Sequence, residues 1–139
     1  MLGSGEYQKR INLNNAHISS ALEHIPPLGE VTREQFHSYR MEFLRAFVGA
    51  DRQPDMAIGT RLLAIKRPDY FVCIDSENRK DLGRDIGFAY STLELEQYWD
   101  EVVEPITQTS WWRSDRPQGQ SGQLWDGRIA MLDVIYYEP

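Results

Sequence analysis

Cysteine occurs once in the 139 residues, as Cys73, so no internal disulfide can form. Its neighbours Tyr70, Phe71, Val72 and Ile74 are apolar, which points to a buried, inert thiol and a reducing, cytoplasmic setting. No apolar run approaches the ~20 residues that a membrane-spanning helix needs. The opening residues, Met1-Leu2-Gly3-Ser4-Gly5-Glu6, lack the basic-then-apolar order of a secretory leader. Glycine-rich phosphate loops of either familiar type are missing, which argues against nucleotide hydrolysis. Repeats and low-complexity tracts are also missing. Positive charge is in deficit: 15 Lys and Arg face 21 Asp and Glu, for a net charge of −6. A protein that simply coats nucleic acid needs the opposite balance, because phosphate binding is driven by clustered cations and the counterions they displace.

What remains is the composition of an ordinary globular chain, 41% hydrophobic and 26% charged, with a generous 12% of aromatics to build a core. Dividing it would leave pieces too small to bury adequate cores, so residues 1–139 are expected to form one helical domain. Residues 1–13 are polar and glycine-containing and read as a flexible N-terminal segment. Asn14 or Asn15 is placed to cap a short helix through Ile18, Leu22 and Ile25, ended by Pro26-Pro27. Thr32-Arg33-Glu34-Gln35 reads as a capping box, in which the Thr hydroxyl accepts from a free backbone N–H and Gln35 reaches back. Phe36, Tyr39, Phe43 and Phe47 then recur at helical spacing, with Gly49 as the stop.

Residues 51–55 read as a polar turn. Met56, Ile58, Leu62, Leu63 and Ile65 predict a helix ended by Pro68. The run from Tyr70 to Ile74 has strand composition, but the chain offers it no partner strand, so it is expected to be a buried extended connector. Asp75 is placed to open a helix through Asn78, Leu82 and Ile86 that Gly87 closes. Ser91-Thr92-Leu93-Glu94 reads as a second capping box, before a helix burying Leu95, Tyr98 or Trp99, and Val102. Pro105 should kink or restart that helix. Residues 110–123 have loop composition, and a final helix is expected to carry Trp125, Ile129, Leu132 and Tyr136. The architecture predicted is all-α: a compact, single-domain, orthogonal bundle of six or seven helices.

The stretch Ile58-Gly59-Thr60-Arg61-Leu62-Leu63-Ala64-Ile65-Lys66-Arg67-Pro68-Asp69-Tyr70-Phe71-Val72-Cys73-Ile74-Asp75, followed by Asn78, Leu82, Arg84 and Gly87-Phe88, resembles the central part of the helix-hairpin-helix DNA glycosylase superfamily. In that family a helix of the type small-Thr-Ala-x-x-Leu precedes Pro-x-x-Phe-Pro-Ile-Leu-Asp. The resemblance covers roughly a quarter of the chain. It implies that Asp75 stands where the family places the carboxylate that stabilises the cationic sugar or steers the nucleophile during base excision. Two departures point to a non-catalytic relative. The Gly-x-Gly hairpin that grips phosphate is replaced by Arg52-Gln53-Pro54-Asp55, and Pro54 has no N–H to give. The lysine that bifunctional members use as a nucleophile has no counterpart, since Lys66 lies at the far end of its helix. Independently of the family, an Asp before a helix caps free N–H groups and suits the positive end of the helix dipole.

His17 and His24, with Glu23 and His37, are spaced too widely for the usual zinc pattern, and no metal or cofactor is expected. Cys73 has no adjacent histidine to activate it. Asp69, Asp75 and the Glu77-Asn78-Arg79-Lys80 run have the wrong register for a metal-dependent nuclease. Arg61, Lys66, Arg67, Arg79, Lys80 and Arg84 gather mid-chain and are the candidate nucleic-acid contacts. Trp111, Trp112, Arg113 and Trp125 are the candidate partner contacts, with stapling of the 110–123 segment to the body as the competing role.

The expectation is therefore a non-enzymatic helical module of a bacterial-type DNA-processing or phage-defence assembly, with a protein partner and DNA as a second one. A monofunctional DNA glycosylase using Asp75 and a pure protein-interaction subunit are the alternatives.

Overall fold

The computed structural model describes residues 16–49, 54 and 56–135. Within them the chain is helical and contains no strand. Helices α1 (Ala16–Glu23) and α2 (Arg33–Arg45) pack against each other, and α3 (Met56–Lys66) follows. A connector leads to α4 (Arg79–Ile86). Next comes a continuous helical run made of α5 (Leu95–Tyr98), a π-helical turn (Trp99–Val103) and α6 (Glu104–Thr107). The described residues end in short pieces: α7 (Ser110–Arg113), α8 (Gln120–Asp126) and α9 (Leu132–Ile135). Asn14 and Asn15, the 1–13 segment, Tyr136 and most of the 51–55 turn lie outside the described residues.

The aromatic stripe of α2 sets the core. Phe36, Tyr39 and Phe43 point inward from the helix and Phe47 from the turn that follows it. Tyr39 and Phe43 stack with centroids 5.7 Å apart, and Phe36 meets Tyr98 and Trp99 from the α5 run at 5.8 and 5.9 Å. The predicted capping box is present: Thr32 Oγ1 accepts from the Gln35 N–H at 3.2 Å, and Gln35 Oε1 accepts from the Thr32 N–H at 2.8 Å. From Ile18 to Ile129 the buried apolar side chains form one cluster.

The extended connector is buried as its composition requires, and residues 71–74 lie deep in the core. Its peptide groups need partners, since a buried, unpaired backbone group costs about as much as a lost hydrogen bond. With no adjacent strand, side chains supply them. The Tyr98 hydroxyl donates to Val72 O at 2.7 Å and accepts from Val72 N at 3.0 Å. Thr60 Oγ1 accepts from Ile74 N at 2.9 Å while donating to Met56 O. Asn78 Nδ2 donates to Cys73 O at 2.7 Å.

Several boundaries differ from the sequence reading, each for a local reason. The second capping box is formed by Glu94 and Gln97, three residues after Ser91: the Glu94 carboxylate takes the Gln97 N–H and Gln97 Oε1 takes the Glu94 N–H at 2.9 Å. Pro105 stands in the first turn of a new α segment, Glu104–Thr107, which starts directly after the wide turn Trp99–Val103 and is where its missing donor costs least. The 110–123 segment holds α7 and the start of α8 rather than a loop. The expected final helix through Trp125 and Ile129 is instead broken after Asp126, where the Gly127 N–H turns back to Leu124 O. Gly87 closes α4 as predicted, in the left-handed region at φ 106°, with its N–H on Gly83 O.

Candidate functional site

The stretch 58–86 folds as helix, buried link and second helix, and Asp75 stands at the junction, half-buried. Its Oδ1 accepts from the N–H groups of Glu77 and Asn78, both at 2.9 Å, and its own N–H donates to Asn78 Oδ1 at 2.9 Å. The carboxylate therefore caps the turn that leads into α4, one turn ahead of the residue that begins the regular helix. Asn78, only 2% exposed, ties this turn down by also bonding Asp133 Oδ1. Burial, followed by the nearby Asp75 charge, raises the Asp133 pKa against the lowering effects of Asn78 and Arg61. Cys73 is buried, its Sγ donates to Ala57 O at 3.5 Å, and desolvation pushes its thiol above the usual range.

Of the six mid-chain cations, several are engaged within the fold. Arg67 is 4% exposed and serves the interior: its guanidinium donates to Pro26 O, to Gly29 O and to both oxygens of Asp69. The guanidinium is thus committed within the fold, at the edge of a cleft that Lys66 and Arg128 also line. Sequence reasoning treats an arginine as a surface charge, whereas this one closes the 26–29 turn over the end of α3. Lys66 Nζ donates to Leu22 O at 2.7 Å, and Arg79 donates to Leu93 O at 2.7 Å. Arg84 is flanked by Asp81 and Asp85 at 3.2 and 3.5 Å. Lys80 is exposed on α4, and Arg61 is half-buried on α3.

The histidines gather on the α1–α2 side. His17 Nδ1 lies 3.0 Å from Glu42 Oε2, and His24 and His37 line a shallow cleft together with Glu42. Burial, then the charges of Arg33 and Arg40, lowers the His37 pKa. Among the described residues no group of His, Cys, Asp and Glu side chains is disposed to hold a metal ion.

The tryptophan-rich end is where the predicted partner contacts do come together. Trp112 Nε1 donates to Asp69 O at 2.7 Å and its ring meets Tyr70 edge-on, with centroids 5.1 Å apart and planes at 70°. Arg128, which sequence reasoning left unassigned, is the hinge of this corner. Its guanidinium lies 5.0 Å from the Trp112 ring centre and 4.5 Å from that of Trp125, and it donates to the main-chain oxygens of both residues. Trp125 in turn holds Trp111 edge-on at 5.7 Å. Arg113 donates to Thr107 O and Gln108 Oε1. Trp112 and Trp125 thus staple the end of the chain to the body, while Trp111 remains 44% exposed beside Leu124 and Trp125. A cleft of about 360 Å³, lined by Leu28, Lys66, Asp126 and Arg128 among others, opens next to this stack.

Comparison with protein-family models, with curated proteins and with solved structures finds no match to this chain. No helix among the described residues is long and apolar enough to cross a membrane.

Proposed function

We propose that this chain is a non-enzymatic helical module that binds a protein partner through its tryptophan-rich end. The observation that carries this reading is the exposure of large apolar side chains on a pre-ordered frame. Trp111 is 44% exposed while locked against Trp125, Leu124 is 59% exposed, and Leu28, 85% exposed, lines the cleft beside Arg128. Rigid aromatic anchors next to arginine are the commonest composition of a binding hot spot, because little entropy is lost when they are covered. The side chains that would carry catalysis or phosphate binding are largely engaged in holding the fold: Asp75 in a cap, and Arg67, Lys66 and Arg79 on main-chain oxygens. This supports the interaction role over the glycosylase role, and it supports a protein partner ahead of DNA.

A displayed peptide library panned on the intact protein tests the reading. Ligands are expected to emerge and to lose about tenfold or more in affinity for Trp111→Ala and Leu124→Ser. Ligands indifferent to both substitutions, or a library that yields none, would overturn it. So would binding of duplex DNA that weakens steeply with salt.

A further inference from the structure

A second cleft, of about 230 Å³, lies on another side of Tyr70 and Trp112, and its lining differs in chemistry from the first. Its aromatic walls are Tyr70, Trp99 and Trp112, and its rim carries Glu30 and Glu104. The two rings that meet at 70° form a corner, with Trp99 as a third aromatic surface. Glu30 precedes α2 and Glu104 opens α6; both are exposed, and neither carboxylate has an ion-pair or hydrogen-bond partner among the described residues. The cation near Glu104, Arg33, is committed to Asp100 through two 2.8 Å bonds. The remaining charged group in the lining, Arg113, is turned onto Thr107 O and Gln108 Oε1.

These aromatic rings already attract cations. Arg67 sits 4.9 Å from the Tyr70 ring centre and Arg128 5.0 Å from that of Trp112, and both arginines line the neighbouring cleft rather than this one. A ring face attracts a cation through its quadrupole, and desolvation within a cleft strengthens the attraction. Two unpaired carboxylates at the mouth add charge complementarity, and the chain's overall charge of −6 favours the approach of a positive group.

We propose that this cleft receives the cationic end of a lysine or arginine side chain presented by the protein partner. The inference rests on the reading of the chain as a protein-binding module and names the side chain that the partner must supply. An anion or a purely apolar side chain would leave Glu30 and Glu104 uncompensated, and a phosphate would be repelled by both.

The test uses isotope-labelled intact protein titrated with N-acetyl-lysine amide, N-acetyl-arginine amide and tetramethylammonium chloride. N-acetyl-glutamate at matched salt is the control. The cations are expected to shift the indole N–H signals of Trp99 and Trp112 saturably, and the control to leave them in place. The double variant Glu30→Gln/Glu104→Gln, checked for unchanged helicity by circular dichroism, should weaken cation binding about tenfold. Arg113→Gln, which removes the cleft's own cation, should tighten it. Absent shifts, equal shifts with the glutamate control, or binding indifferent to the double variant would overturn the proposal. Selected peptide ligands that bind the double variant as tightly as the parent overturn this cleft assignment and leave the protein-binding reading standing. Saturable cation binding without any peptide ligand does the reverse.

Discussion

The part of the molecule built on α2, the connector and α5 differs sharply from the part that follows Gln108. In the first, most large rings are buried and several of the connector's peptide groups are answered from within: Tyr98 and Thr60 complete the connector, and Arg67 closes the 26–29 turn. In the second, the helices are four to seven residues long, and it is held by Arg128 between two tryptophans, by buried Ile129 and by the Ile129 and Ala130 N–H groups on Pro68 O, with the exposed Arg116–Asp126 pair at 2.7 and 2.9 Å outside them. Apolar burial scales with area and so makes the first part the stability-determining one. Guanidinium–ring and surface ion contacts contribute less each, and they leave flat apolar faces uncovered. The contrast teaches that most of the apolar burial lies in the first part, while the second relies more on contacts between side chains near the surface.

The largest blow to that division is expected from Arg67→Ala. Removing the guanidinium strands Asp69 and two main-chain oxygens, a loss of about 3 kcal/mol, read as a lower urea midpoint for the whole protein. Tyr98→Phe keeps the ring and deletes only the hydroxyl that both gives and takes a hydrogen bond at Val72; a loss of about 2 kcal/mol is expected, again global. Gly122→Ala attacks the other end. An added methyl would collide with Pro117 O and the Arg116 guanidinium, costing about 1 kcal/mol, and should raise amide exchange over α7 and α8 while the global midpoint holds.

Alkaline titration sharpens the same contrast. Burial raises the pKa of both Cys73 and Tyr98 above their ordinary values of 9.0 and 10.0, so the unfolded chain ionises first. Stability that is fully present below about pH 9 must therefore fall as pH rises beyond it, and Cys73→Ala should flatten the early part of that fall. The smallest effect is expected from Asp126→Asn. It breaks an ion pair whose partners are both exposed, and thermal denaturation should not register it.

The two ends also differed in how far their sequence disclosed them. Phe36, Tyr39, Phe43 and Phe47 announce α2 because a helix buries every third or fourth side chain, and Thr32 with Gln35 marks its start. The connector was legible because a strand-like run without a partner has few other options. Arg67 was not, since its role depends on main-chain oxygens some forty positions away, which no local pattern encodes. Glu94 as a cap was hidden by the better-suited Ser91, and the π turn before Pro105 follows from how the whole run packs rather than from its letters. At the tryptophan-rich end, the rings themselves were conspicuous, but Arg128, the cation that organises them, looked like any other charge. Glu30 and Glu104 gave no local signal either, because they share a cleft only once α6 has been laid beside the 30–31 segment.

The Tyr98 hydroxyl has one more consequence. By occupying both hydrogen-bonding groups of the Val72 peptide, it does for residues 70–74 what a neighbouring strand does inside a sheet. Those residues, Tyr-Phe-Val-Cys-Ile, are uncharged and rich in aromatic and branched side chains, the composition from which cross-β fibres nucleate. Together with Thr60 and Asn78, that phenol keeps a segment of fibre-forming composition inside the fold instead of open to pairing with a second copy.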